Sequence, residues 1–210
     1  MTAMLILVRH GETVGQSSVR LYGATDVALS ATGVAQIEAV AACLRHEPLA
    51  ALIASPLQRS RVAAEIVAAA QPRPPAITTV AEFTEVDFGA WEGLTFDEVA
   101  ARDPEGLRRF HAEGLEFTYP GGEQRRHLWA RVRSAALREL APARGRVAAV
   151  LHKGVIKAAL AALVGLAPEE AAELPVSLGG IYRLERRPDG RWDISQRNAT
   201  AHLGALDLGG

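Results

Sequence analysis

The sequence predicts an α/β protein built on a largely parallel sheet with helices on both faces. Three observations carry that prediction. Short apolar runs of strand length alternate with amphipathic stretches of helix length. The first run, Met4 to Arg9, is apolar without alternation, as expected of a strand buried on both faces. The chain then closes on two strand-like runs joined by Pro188-Asp189-Gly190, a turn that returns the second antiparallel to the first.

Each element has its own reason. Residues 4–9 form the first strand, and 10–31 a loop carrying Gly11, Gly15 and Gly23. Residues 32–46 form an amphipathic helix, with Ser30 or Thr32 as N-cap. A strand over 50–54 leads through Pro56, suited to a first helical turn, into a helix over 57–70. Residues 71–75, rich in proline, make a stiff surface connection before a strand over 76–80. The segment 81–122 is the least regular, an irregular helical cap with short helices near 95–102 and 104–112. Then come a helix over 123–141, a strand over 146–151, helices over 154–164 and 168–173, and the antiparallel pair 179–186 and 191–197.

The bulk numbers set limits. A chain of 210 residues suits a single α/β domain over 1–210. The formal net charge of −1 argues against a general polyanion binder, so no nucleic-acid partner is expected. The short apolar run before Arg9 reads as a strand rather than a signal peptide, and no stretch reaches membrane-spanning length. A cytoplasmic location without membrane association is therefore expected. The single cysteine, Cys43, lies in a helical run and is expected to be a small buried apolar residue.

Three predicted strands end where reactive side chains begin, and ligands of such sheets bind beyond the carboxyl ends of the strands. Arg9-His10-Gly11-Glu12-Thr13 puts a histidine on a strand end, beside a glycine that lets a ligand approach the backbone. Ser55-Pro56-Leu57-Gln58-Arg59 opens a helix with Arg59 in its first turn, where the helix dipole favours an anion. Leu151-His152-Lys153-Gly154 repeats the pattern of strand end into helix start. A fourth cluster, Glu85 to Gly93, is irregular and aromatic, with Phe88 and Trp91 read as packing anchors. Taken singly, each has an ordinary structural reading: a loop histidine, an exposed helix arginine, a half-buried histidine, surface acids.

Together, and in this order along nearly the whole chain, the four clusters resemble the histidine phosphatase superfamily, which includes the cofactor-dependent phosphoglycerate mutases. Gly23 to Gly33, Gly121-Gly122-Glu123 with Arg131, and Asn198 to Leu203 extend the resemblance. It implies a three-layer α/β/α sandwich with a mixed, mostly parallel sheet. It also implies roles: His10 as the nucleophile that forms phosphohistidine, and Arg9, Arg59 and a protonated His152 as donors to the phosphoryl oxygens. Glu85 is implied as the general acid, and Thr13, Gln16, Arg20, Tyr22 and Gly23 as substrate contacts. The chemistry agrees, because fixed protein cations can stabilise the charge of phosphoryl transfer. No metal and no cofactor are expected.

The chain departs from the family pattern at Gln16, Ala63, Gln124 and Lys153, where asparagine, threonine, serine and a small residue are usual. Lys153 either stands in solvent or borders the pocket and touches an anionic substrate. The leading expectation is a metal-independent phosphomonoester phosphatase acting on a small-molecule phosphate. The stretch between Glu85 and His152 looks short beside the insertion of the mutases, and a more open pocket admits water. A 2,3-bisphosphoglycerate-dependent mutase is the alternative, with Arg108-Arg109 or Arg125-Arg126 as a carboxylate clamp. A non-catalytic phosphate-binding module is the remote third, and a homodimer is left open.

Overall fold

The computed structural model describes residues 3–208. Six strands form one sheet in the order β3-β2-β4-β1-β5-β6. They are β1 (Met4–Arg9), β2 (Ala51–Ala54), β3 (Ile77–Thr79), β4 (Arg146–Leu151), β5 (Ile181–Arg186) and β6 (Trp192–Ala199). The first four are parallel, β5 runs antiparallel to β1, and β6 antiparallel to β5. The sheet is thus mixed, as the resemblance implied.

The continuous apolar runs are explained by burial on both faces. Along β1, Leu5 and Leu7 enter one core while Ile6 and Val8 enter the other. In β4, Val147, Ala149 and Leu151 alternate in the same way with Ala148 and Val150. One face is covered by α1 (Ala31–Leu44) and α2 (Gln58–Ala69), through Ile37, Val40, Leu44 and Val67. The other is covered by α5 (Arg125–Ala135) and α6 (Lys153–Val164), with the segment from Val80 to Tyr119 stacked beyond them.

Most predicted elements lie within a few residues of their observed bounds. Ser30 is the N-cap of α1: its side chain accepts from Gly33 N at 3.1 Å. The cap segment contains α3 (Phe96–Arg102) and α4 (Pro104–Glu113), separated by Asp103. Asp103 caps α4 and accepts a hydrogen bond from Trp91 Nε1 at 2.9 Å, tying the aromatic cluster to the helices. A short α7 (Pro168–Ala172) precedes β5.

Two expectations need correction, and one element was not foreseen. The helix expected over 123–141 ends at Ala135 and continues as a π-helical turn over Ala136–Leu140, a change of hydrogen-bond register that side-chain periodicity does not announce. Residues Ala201–Leu206 form a further 3-10 helix docked on α1, where Gln36 Nε2 donates to Leu206 O at 2.8 Å. Cys43 is exposed, because the buried stripe of α1 runs through Val40, Ala41 and Leu44 and leaves position 43 outside it.

Candidate active site

The sheet register brings the reactive residues together. Arg9 lies opposite Leu151 in the β1–β4 pair, and His10 N donates to Leu151 O at 3.0 Å. His10 and His152 therefore leave adjacent strands side by side, with ring centroids 5.1 Å apart in an edge-on arrangement. On the other flank of β4, β2 ends at Ala54, paired with Val150, and feeds Ser55 and α2 into the same place. The three strand ends singled out in the sequence are neighbours in space.

Hydrogen bonds set the histidine tautomers. A carbonyl can only accept, so His10 Nδ1 donates to Gly11 O (2.7 Å). Burial, then Arg59 and Arg9, hold the His10 pKa well below its ordinary value, so the ring is neutral with its lone pair on Nε2. His152 Nε2 lies 2.6 Å from Ser55 Oγ. Among the described residues Ser55 has no other acceptor for its hydroxyl proton, so Ser55 donates and His152 carries its proton on Nδ1. Burial, Arg59, His10 and Arg9 depress the His152 pKa too. The expectation of a protonated His152 therefore meets opposing electrostatics: burial and the neighbouring cations favour the neutral ring. Ser55 is a positioning residue that the motif contained without revealing its part.

The arginines are held by backbone carbonyls. Arg9 Nη1 donates to Val176 O at 2.7 Å. Arg59 donates to Thr25 O (2.9 Å), Gly23 O (2.7 Å) and Tyr22 O (3.2 Å), so the loop of residues 22–25 fixes it. Burial pulls the Arg9 pKa down to about 10, partly offset by Glu85 and Glu12, which leaves it cationic at neutral pH. Four buried side-chain polar atoms lack a partner among the described residues, and three of them are Arg9 Nε, Arg59 Nε and His152 Nδ1. Orphaned buried donors are costly and rare, and three in one cluster mark an anion site.

Glu85 is buried beside this cluster. Its Oε1 accepts from Val86 N and its Oε2 from Gly154 N, each at 2.9 Å, so the first turn of α6 holds the carboxylate. Glu12, which sequence reasoning left without a role, organises the loop after β1. It accepts from Thr13 N (2.7 Å), Ser17 Oγ (2.9 Å) and Ser18 N. Burial would raise its pKa, but these hydrogen bonds win and hold it low.

A cavity of about 540 Å³ opens from Arg9, His10 and Glu85. Of the expected substrate contacts, Arg20, Tyr22 and Lys153 line it. Arg20 also pairs with Glu98 at 2.7 Å, fastening the loop to α3. Thr13, Gln16 and Gly23 are not among its lining residues. Thr13 is buried, and its Oγ1 accepts from Ser17 N. Gln16 is exposed at φ 63°. Gly23 works through its backbone, its N–H donating to Glu92 and its carbonyl holding Arg59. Phe88, expected only to pack, also forms part of the wall, edge-on to Tyr119 at 5.0 Å. Lys157 was not foreseen as a lining residue, whereas Arg125, offered with Arg126 as a carboxylate clamp, does line the cavity. Lys157 could have been found, since it lies one turn after Lys153 on the same helix. Of the paired arginines only Arg125 reaches the cavity. Arg108, Arg109 and Arg126 form exposed ion pairs with Glu105, Glu113 and Glu116.

Fold and site define a class of protein: an α/β sheet presenting a neutral histidine inside a nest of cationic and neutral donors. The profile of the histidine phosphatase superfamily (branch 1) matches residues 5–200, and the chain belongs to that superfamily. It is 34% identical over 201 residues to the Bifunctional protein Rv2228c of Mycobacterium tuberculosis, covering 95% of this chain and 54% of that one. The chain thus spans about half the length of the first curated relatives it matches. It is 29% identical over 204 residues to phosphoserine phosphatase 1 of Hydrogenobacter thermophilus, covering 95% of this chain and 94% of that one. Among solved structures, YhfR of Bacillus stearothermophilus superposes with a TM-score of 0.82 at 25% identity, covering 96% and 99% of the two chains.

Among the described residues no group of three or more His, Cys, Asp or Glu is placed to hold a metal ion. No helix there is long and apolar enough to cross a membrane.

Proposed function

We propose that the protein is a phosphomonoesterase that hydrolyses a small-molecule phosphate ester through phosphohistidine at His10, with no metal required. The observation that carries this reading is the set of unpaired buried donors, Arg9 Nε, Arg59 Nε and His152 Nδ1, gathered around a neutral His10. Phosphoryl oxygens are the acceptors that set suits.

In the first half-reaction His10 Nε2 attacks phosphorus and the P–O ester bond breaks in line. Arg9 and Arg59 supply fixed positive charge, and His152 a neutral N–H, to the phosphoryl oxygens. The departing alkoxide takes a proton from the carboxyl of Glu85, which lines the cavity beside His10. In the second half-reaction Glu85 accepts a proton from water, which attacks phosphorus and displaces His10. Products are the alcohol and inorganic phosphate. The independence from metal is read from the positive charge that the protein itself contributes.

The test is a panel of phosphomonoesters assayed with EDTA present, wild type beside His10→Ala. Phosphate release that survives EDTA and disappears in His10→Ala is expected; release that EDTA abolishes, or that the variant retains, overturns the proposal.

A further inference from the structure

Beyond the phosphoryl site the cavity carries positive charge that the reaction above does not use. Lys153 and Lys157 stand one turn apart on α6, and Arg125 at the start of α5; all three line the same cavity. Among the described residues none of them has a carboxylate within ion-pairing distance. This is unlike the other paired arginines, whose charges are matched by neighbouring glutamates. Lys157 Nζ donates to Ala172 O, and Arg125 Nη1 to Gly114 O at 3.0 Å, so both heads are held in place. The acids on the wall are Glu85, already engaged by backbone N–H groups, and Glu173. Three cations against the two carboxylates still leave the outer cavity positive.

We infer that this outer cavity is an anion subsite, and that the natural substrate is a phosphomonoester whose alcohol half carries a second anionic group, a carboxylate or a further phosphate, seated on Lys153 and Lys157. The inference deepens the phosphatase reading and rests on it. The volume of about 540 Å³ leaves room for a body between the two anions, against the wall formed by Phe88, Tyr119 and Trp129. The electrostatics agree with this placement. Burial, then Arg9 and Lys157, pull the Lys153 pKa down to about 8, a cost that a bound anion relieves.

The experiment compares 4-carboxyphenyl phosphate and 4-phosphonophenyl phosphate with the neutral 4-carbamoylphenyl phosphate, at low salt. The amide is the better leaving group of the carboxylate–amide pair, so a preference for the carboxylate cannot come from chemistry at phosphorus. Wild type is expected to favour at least one anionic ester by about tenfold in kcat/KM, the worth of one or two charge-assisted hydrogen bonds. Which anion wins distinguishes a carboxylate from a phosphate substrate. The ratio should fall to near one in Lys153→Gln/Lys157→Gln and persist in Lys153→Arg/Lys157→Arg; because it is taken within each variant, a general loss of activity cancels. Turnover of all three esters without preference in wild type, or a preference unchanged in the glutamine variant, overturns the subsite while leaving the phosphatase reading intact. No turnover of any ester by wild type refutes the phosphatase reading itself.

Discussion

At the scale of single residues, the proposed reaction depends on where protons sit before a substrate arrives. In that proposal His10 attacks as the neutral ring, the form favoured by burial beside two arginines. In the same proposal His152 offers a proton without a charge, and Ser55 favours that tautomer by occupying its Nε2. Replacing Ser55 with alanine frees the ring to adopt the other tautomer. Ser55→Ala should lower kcat about tenfold, the loss of about one hydrogen bond's worth of orientation, with KM changed far less. Equal changes in kcat and KM would place Ser55 in the structure and not in the positioning of His152. The polar residues around Glu12 show the same economy at the loop, where one carboxylate gathers Thr13, Ser17 and Ser18.

At the scale of elements, close approach decides what the chain tolerates. A Cβ on Gly33 would sit 1.9 Å from Glu12 O, backbone that cannot yield, so the start of α1 packs on the loop after β1 only with glycine there. Gly33→Ala should destabilise the fold by about 2 kcal/mol, measurable as a lowered urea midpoint. Gly154 is different: its Cβ would meet Glu85 Oε1 at 2.6 Å, the mobile end of a side chain. Gly154→Ala should fold with a near-normal midpoint yet lose kcat about tenfold or more, because Glu85 is pushed off its post. Normal kcat in that variant would remove Glu85 from the proton transfer. These elements were legible to different degrees. His10, Ser55 to Arg59, and His152 could be located because a strand end followed by a helix start leaves a clear pattern in sequence. The sheet order could not, since nothing local says that β1 sits between β4 and β5. Phe88 escaped as a cavity residue because the cap segment is assembled from aromatic contacts between distant positions, such as Trp91 with Phe117 and Tyr119.

At the scale of the whole molecule, the same buried histidines tie stability to pH. Both have folded pKa values depressed below the ordinary value by burial and the arginines. The unfolded chain binds protons at these positions below about pH 6.5 and the folded protein does not, so stability is lost as pH falls below that point. The slope is at most about 1.4 kcal/mol per pH unit for each histidine. Wild type should therefore lose more of its urea stability between pH 7.5 and 5.5 than His152→Asn; parallel losses would show that the ring is not held neutral. The central claim remains that His10 carries the phosphoryl group, and it is tested most directly by trapping the enzyme with a radiolabelled ester in the millisecond range under denaturing conditions. One phosphoryl group per chain, labile to acid, stable to alkali and absent from His10→Ala, is the predicted result. Turnover with no such adduct, or an adduct that persists in His10→Ala, would contradict the account.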